Sequence, residues 1–364
     1  MSGGVDSSVA AALLQHAGYQ CTGVTMKLLA DPPETAAVGG CCGLEAALDA
    51  KRVCAALDIP HYTLNYVRQF NNLVIQSFVD AYCRGETPNP CIACNRFMKF
   101  ELLMNWARQM GFDCLATGHY ARLAWDEPSR RHQLRKATDT HKDQSYVLYP
   151  LTQTKLAFLR LPLGGLRKQQ VRSLAAEFGL PTAHKAESQD ICFVSNGTYP
   201  RFICQELRRQ GRPLPSPGAF IDTQGQILGS HQGIHNFTVG QRRGLGVAMG
   251  HPLYVRALDA TSATVVLAER EQMVFTTALI SDVYFIARPH LNPEQNTRAR
   301  HAAVSVKARP RYRSTEEPAL AQQLSDGRIQ VRFTRPQSAL AKGQALVLYE
   351  DDTVLAGGTI SAAF

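Results

Sequence analysis

Residues 1–15 read MSGGVDSSVAAALLQ: two glycines, an aspartate and two serines ahead of an apolar helical run. Glycine lets a backbone approach a ligand closely, and successive N–H groups at a helix N-terminus favour an anion. The hydroxyls of Ser2, Ser7 and Ser8 add donors, and Asp6 is suited to a magnesium ion or to orienting phosphates. An ordinary N-cap turn uses the same residue types, because Ser and Asp cap helices routinely. No G-x-x-x-x-G-K-[ST] string occurs, so a Walker-type γ-phosphate site has no support.

Outward from this loop, helical and strand patterns alternate. Ser7 to Gln15 has helical spacing, with Gly18 as a C-terminal stop. Residues 21–29 and 61–66 read as strands, and 113–120 (DCLATGHY) as a buried strand ending in a polar turn. Helical periodicity runs through 44–59, 67–83, 96–110 and 168–181. The alternation predicts an α/β fold, a parallel sheet with helices on both faces. Beyond about residue 212 the helical pattern fades, and 218–233 shows paired short strands. From about Ala278 onward the chain reads as short strands of a small β-barrel-like domain. The expected domains are 1–207, a small central domain 208–275 and 276–364.

The 364 residues are 45% hydrophobic and 19% charged, enough for a substantial core. A net charge of +9, with basic clusters at 167–172, 208–212, 241–244 and 298–313, fits a polyanionic partner such as nucleic acid. No segment approaches about 18 consecutive apolar residues, which argues against a membrane span. Ten cysteines without a secretory signal argue for a reducing, cytoplasmic setting. There, Cys21, Cys54, Cys83, Cys114 and Cys204 read as small buried hydrophobes, and Cys41–Cys42 as a loop-to-helix turn.

The string SGGxDS resembles the pyrophosphate loop of the PP-loop ATPases, an adenine nucleotide α-hydrolase-like fold. Two further stretches are distinctive, TPNPCIACNRFMKF (87–100) and ESQDICFV (187–194). With GVTMK (23–27), ATGHY (116–120), KDQSYVLY (142–149) and GQRRGLG (240–246), they resemble the tRNA-specific 2-thiouridylases of the MnmA type.

The resemblance implies ATP-dependent 2-thiolation of the wobble uridine of lysine, glutamate and glutamine tRNAs. ATP is cleaved between its α and β phosphates, the uracil C2 oxygen is adenylated, and a cysteine persulfide supplies sulfur. It places the persulfide on Cys192 and its partner on Cys94, with a Cys94–Cys192 disulfide left after transfer. ATP, carried with Mg2+, is expected at Met1, Ser2, Gly3, Gly4, Val5, Asp6, Ser7, Ser8, Met26 and Gly118. Asn89, Pro90 and Cys91 match the segment that meets the target base, and His119 is a further candidate there. Lys142, Asp143, Gln144, Arg311, Tyr312 and Gln344 match tRNA-contacting positions. The expected partners are tRNA and a sulfur donor, either a cysteine desulfurase or a sulfur-relay protein, with no membrane.

Cys91 stands where some relatives carry an aspartate acid/base group. Cys91, Cys94 and Cys192 are also candidate ligands of a [4Fe-4S] cluster, which would give an iron–sulfur-dependent version of the same thiolation. Other readings are a different PP-loop adenylating enzyme, a dithiol redox protein, and a truncated, catalytically impaired tRNA-binding protein. The last arises because relatives carry a short apolar strand ahead of the loop. Only Met1 precedes the loop here, so a start upstream of Met1 is expected, with stability and ATP binding rising when that strand is supplied.

Overall fold

The computed structural model describes residues 1–30, 44–186, 191–194, 198–291 and 302–364. The chain divides into two compact units. One comprises Met1–Ile75, Pro90–Asn196 and Asp352–Val354; the other comprises Gln76–Asn89, Gly197–Asp351 and Leu355–Phe364.

In chain order the elements begin α1 (Val5–His16), β1 (Gly23–Lys27), α2 (Leu44–Ala56), β2 (His61–Asn65), α3 (Val67–Phe70) and α4 (Gln76–Cys83). They continue with α5 (Pro90–Ala93), α6 (Met104–Gln109), β3 (Leu115–Ala116), β4 (Ala121–Asp126) and β5 (Arg131–Lys136). Then come α7 (Gln153–Phe158), β6 (Leu159–Arg160), α8 (Lys168–Glu177) and α9 (Tyr199–Arg209). The remainder is strand: β7 (Gly218–Ile221), β8 (Ile227–His231), β9 (Tyr254–Asp259), β10 (Thr264–Ala268) and β11 (Phe275–Phe285). Last are β12 (Val304–Arg309), β13 (Glu317–Gln323), β14 (Ile329–Gln337), β15 (Ala345–Glu350) and β16 (Thr353–Ala363).

In the first unit the parallel sheet stands as two pieces. β1 pairs with β2 from Gly23↔His61 to Lys27↔Asn65, and β3 pairs with β6 at Leu115↔Leu159 and Ala116↔Arg160. Helix α1 follows from its sequence. Val5, Val9 and Ala12 line one face at helical spacing and join Val53, Val171, Ala175 and Leu180 in one core. Helix α8 brings Val171 and Ala175 to that core, and the two helices pack together.

Three local expectations are revised. The strand expected over 113–120 is paired only at Leu115–Ala116, because Thr117 and Gly118 turn towards the opening loop. The helix expected over 67–83 contains a π-helical segment, Asn71–Ile75, and that over 96–110 begins at Pro90 and is π-helical over Cys94–Leu103. Period-based reading misses this, since an i→i+5 ladder changes the helix locally without breaking the apolar pattern. The β4–β5 hairpin was not foreseen, although its turn is marked: Asp126 accepts the Ser129 N–H at 3.1 Å and Arg130 has φ +50°.

The second unit holds α4, α9 and two sheets. A four-stranded sheet runs β8-β7-β10-β9 around Phe220, Phe237, Val255 and Leu267. Six strands in the order β11-β14-β13-β12-β15-β16 close through a β11–β16 pairing, which makes the expected barrel. Its core includes Ile280, Val331, Leu346, Leu348 and Ile360. None of the described helices is long and apolar enough to cross a membrane.

Candidate functional site

The opening loop is shaped by its glycines and held by its hydroxyls. Gly3 has φ +66°, and a Cβ there would lie 2.2 Å from the Ala46 carbonyl oxygen. Ser7 Oγ and Ser8 Oγ both donate to the Gly4 carbonyl, at 3.1 and 2.9 Å, and Thr182 donates to Ser8 Oγ at 3.0 Å. These hydroxyls therefore brace the loop. The Met1 carbonyl accepts from Thr25 Oγ1 at 3.0 Å, and the Met1 nitrogen donates to the Val24 carbonyl, so the loop enters along β1.

Gly118 arrives from the end of β3. A Cβ at this residue would sit 2.7 Å from the Asp6 carbonyl carbon and 2.8 Å from the Ser7 nitrogen. Only glycine lets this turn lie against the loop. Beside the contact opens a cavity of about 360 Å³ whose walls include Ser2, Asp6, Ser7, Met26, Lys99, Gly118, His119 and Gln144. Met1 lines it too, as do Gly23 and Val24 of β1 and Leu115 and Ala116 of β3. Cys21 and Cys114, read from the sequence as packing residues, are half-buried in its wall. Burial, aided by the nearby Cys114, pushes the Cys21 thiol up, and burial does the same for Cys54 and Cys83.

Asp6 is not alone in the loop. Lys168 Nζ lies 2.7 and 2.9 Å from its two carboxylate oxygens, and the Tyr120 hydroxyl donates to Oδ1 at 2.7 Å. Gln144 locks Tyr120 in turn. Its Oε1 accepts the Tyr120 N–H at 2.9 Å, and its own N–H donates to the Tyr120 carbonyl at 2.8 Å. Sequence reasoning missed Lys168 and Tyr120. The available signal was helical phase: Lys168 precedes Val171 and Ala175 on one face of α8.

His119 is a largely buried member of the cavity wall. Its Nδ1 is 2.8 Å from Thr117 Oγ1, and its Nε2 is 3.4 Å from Lys99 Nζ. Since an ammonium can only donate, Nε2 is the acceptor and Nδ1 carries the proton. Lys99 also donates to Asn95 Oδ1 at 2.9 Å, and Asn95 donates to the Val147 carbonyl at 3.1 Å. Burial, reinforced by the Lys99 charge, holds His119 well below the ordinary histidine range. The unfolded chain then binds a proton below about pH 6.5 that the folded chain refuses, so stability falls as pH drops through that value. The urea midpoint should decline from pH 7 to pH 5, with His119 contributing on the order of 1 kcal/mol per pH unit. His119→Gln should flatten that decline.

The cysteine-bearing segments share a neighbour. Cys94 opens the π-helical segment Cys94–Leu103, and exposed Cys91 lies one turn earlier on α5 between buried Pro90 and Ile92. The π-helical Asn71–Ile75 segment packs on both α5 and Cys94–Leu103. Half-buried Cys192 occupies a turn, Ile191–Val194, whose Phe193 ring meets Phe70 edge-on at 5.9 Å. Phe70 immediately precedes Asn71, so the 67–75 stretch anchors both cysteine loops. Residues 187–190 of the ESQDICFV string lie outside the described residues, as do Cys41 and Cys42.

Among the described residues, no three His, Cys, Asp or Glu side chains are gathered as a metal site. Cys91, Cys94 and Cys192 are therefore not gathered as the ligands of a [4Fe-4S] cluster in this arrangement.

Of the tRNA candidates, Lys142 is half-buried, while Asp143 is buried and accepts from Ala137 N, Ser145 N and Ser145 Oγ at 3.1, 3.1 and 2.9 Å. The Asp143 carboxylate thus shapes its own loop. Asn89, Arg311, Tyr312 and Gln344 belong to the second unit. Arg311 is exposed, Tyr312 and Gln344 are half-buried, and the Arg309 guanidinium stands 5.9 Å from the Tyr312 ring. Gln344 Oε1 is buried with no hydrogen-bond partner among the described residues.

Three family models match the chain in succession: the tRNA methyl transferase HUP domain over 1–196, the tRNA methyl transferase PRC-barrel domain over 202–269, and the aminomethyltransferase β-barrel domain over 282–360. The tRNA-specific 2-thiouridylase MnmA of Desulforamulus reducens is 47% identical over 99% of this chain and 95% of its own length. Its counterpart in Acetivibrio thermocellus is 45% identical over 99% of this chain and 97% of its own. That of Moorella thermoacetica is 46% identical over 100% and 98%. With such identity sustained from the opening loop through the barrel, the chain belongs to the MnmA family of tRNA-specific 2-thiouridylases.

Proposed function

We propose that this protein is an ATP-dependent tRNA-uridine 2-sulfurtransferase acting at the wobble position of lysine, glutamate and glutamine tRNAs. The observation that carries the reading is the cavity. Its wall unites Ser2, Asp6 and Ser7 of the loop with Met26 and Gly118, residues from three separate stretches of sequence. In this reading the pyrophosphate end of MgATP rests on the loop N–H groups and the positive end of α1. Asp6 supplies a carboxylate for the magnesium carried by the nucleotide.

The uracil C2 oxygen attacks the α-phosphorus, pyrophosphate departs, and C2 becomes bonded to an AMP leaving group. A persulfide on Cys192, loaded by a cysteine desulfurase or a sulfur-relay protein, then delivers its terminal sulfur. Either that sulfur attacks C2 and expels AMP before Cys94 cleaves the S–S bond, or Cys94 attacks first and frees sulfide for C2. Both routes end in 2-thiouridine, AMP and a Cys94–Cys192 disulfide, which a two-electron thiol reductant resets. The target base is met by Asn89, Pro90 and Cys91, with neutral His119 beside the cavity. Lys142, Asp143, Gln144, Arg311, Tyr312 and Gln344 serve the tRNA, arginines suiting phosphates and Tyr312 a base face. Thiols that must cycle in this way fit the cytoplasm.

Two of the matched domain models carry methyl-transferase names, and the products separate the two chemistries. Purified protein with ATP, a desulfurase, cysteine and unmodified tRNA should yield uridine with sulfur in place of oxygen. A methylated product, or no thiouridine under aerobic and anaerobic conditions alike, would defeat the proposal. Cys94→Ser should stop catalytic turnover.

A further inference from the structure

A carboxylate within a loop proposed to hold phosphates is an electrostatic problem, because like charges a few ångströms apart repel. The structure contains a remedy. Lys168 donates to both Asp6 oxygens, at 2.7 and 2.9 Å, and Tyr120 adds a third hydrogen bond at 2.7 Å. The Lys168 side chain is 11% exposed and Tyr120 2%, whereas the Asp6 side chain is 33% exposed on its cavity side, so the pair is shielded from the lysine side. Asp6 lines the cavity, whereas Lys168 stands behind it.

Helix geometry explains the pairing. On α8, Lys168, Val171 and Ala175 share one face; on α1, Asp6 and Val9 share another. Val9, Val171 and Ala175 lie in the same core, and α1 packs on α8. Both stripes end at a charged residue in the first turn of its helix. The ammonium and the carboxylate cancel, leaving the partial positive charges of the helix N-termini and the Lys99 ammonium of the cavity wall as the local field. A second constraint follows from the three hydrogen bonds, which fix the carboxylate plane and leave its cavity side for a cation.

We propose that Lys168 is a positioning residue. It neutralises Asp6 so that the loop accepts phosphate, and it orients the Asp6 carboxylate towards the nucleotide's magnesium without touching the phosphates itself. The inference rests on the ATP reading above and deepens it.

The test is calorimetric binding of ATP, with and without Mg2+, to the full chain and its variants, with thermal melts as a check on folding. Lys168→Met exposes the Asp6 charge and should weaken magnesium-free ATP binding on the order of 10- to 100-fold. Lys168→Arg keeps the charge and should stay within about fivefold of wild type. The deciding variant is the double substitution Asp6→Asn with Lys168→Met, in which both charges are gone. It should recover magnesium-free ATP binding to within about threefold of wild type, because only the net charge matters there. Should Lys168→Met alone not fold, the double variant and Asp6→Asn still decide, since an apolar replacement of a buried pair is well tolerated. A double variant as weak as Lys168→Met, or far weaker than wild type, would mean that Lys168 grips the phosphates directly and would overturn the proposal. So would a folded Lys168→Met that binds like wild type. Wild type that binds no ATP in either form would instead overturn the ATP reading, and this inference with it.

Discussion

Replacing Cys192 with alanine should reduce persulfide-driven thiolation of tRNA at least about 10³-fold, because it deletes the group that carries the sulfur in the proposed relay. Release of pyrophosphate in a single turnover on tRNA should continue, since the proposed adenylation uses the loop and not this thiol. The substitution is mild for the fold. Cys192 is half-buried, and its turn is fixed by Phe193 against Phe70, both of which remain. Supplying excess inorganic sulfide should restore part of the thiouridine yield, because sulfide can attack an adenylated C2 without a relay. Parallel loss of pyrophosphate release and thiolation would show that Cys192 supports the nucleotide site, and undiminished desulfurase-driven thiolation would remove it from the relay.

Gly3→Ala should abolish useful ATP binding, by about 100-fold or more, through two independent penalties. At φ +66° an alanine is strained, and its Cβ would fall 2.2 Å from the Ala46 carbonyl oxygen and 2.8 Å from its carbon. Ala46 is buried backbone in α2, so the loop must yield. Gly4→Ala is the matched control. Gly4 has φ −104°, and its Cβ would meet only Ser2 Oγ at 3.5 Å. Calorimetry with ATP should find Gly4→Ala within about threefold of wild type, because both the backbone conformation and the space admit a methyl group. Equal binding by Gly3→Ala and wild type would show that the loop backbone does not hold the nucleotide.

Much of this arrangement was legible in advance. Residue types alone left the opening loop open between an anion site and an ordinary N-cap turn, and the resemblance of SGGxDS to the PP-loop ATPases decided between them. The barrel was legible from strand-length apolar runs. Gly118 and Met26 came from resemblance, since a lone turn glycine and a lone methionine carry no local signal. The Lys168–Asp6 pair escaped because 162 residues separate its members, and windows used to judge periodicity do not reach that far. The π-helical turns escaped for the opposite reason, being too local to disturb the apolar rhythm. Asp143 also came from resemblance, and nothing in its local sequence foretold that its carboxylate accepts the backbone N–H groups of Ala137 and Ser145.

The elevated thiols of Cys21, Cys54 and Cys83 bear on the traffic of sulfur itself. Sulfane sulfur hops only onto a thiolate, and a thiol kept protonated by burial is a poor acceptor. A chain with ten cysteines could squander its cargo on the wrong ones. Cys54 is buried and Cys21 and Cys83 are half-buried, so each presents little thiolate, and under the proposed relay this would turn loaded sulfur away from them and towards tRNA.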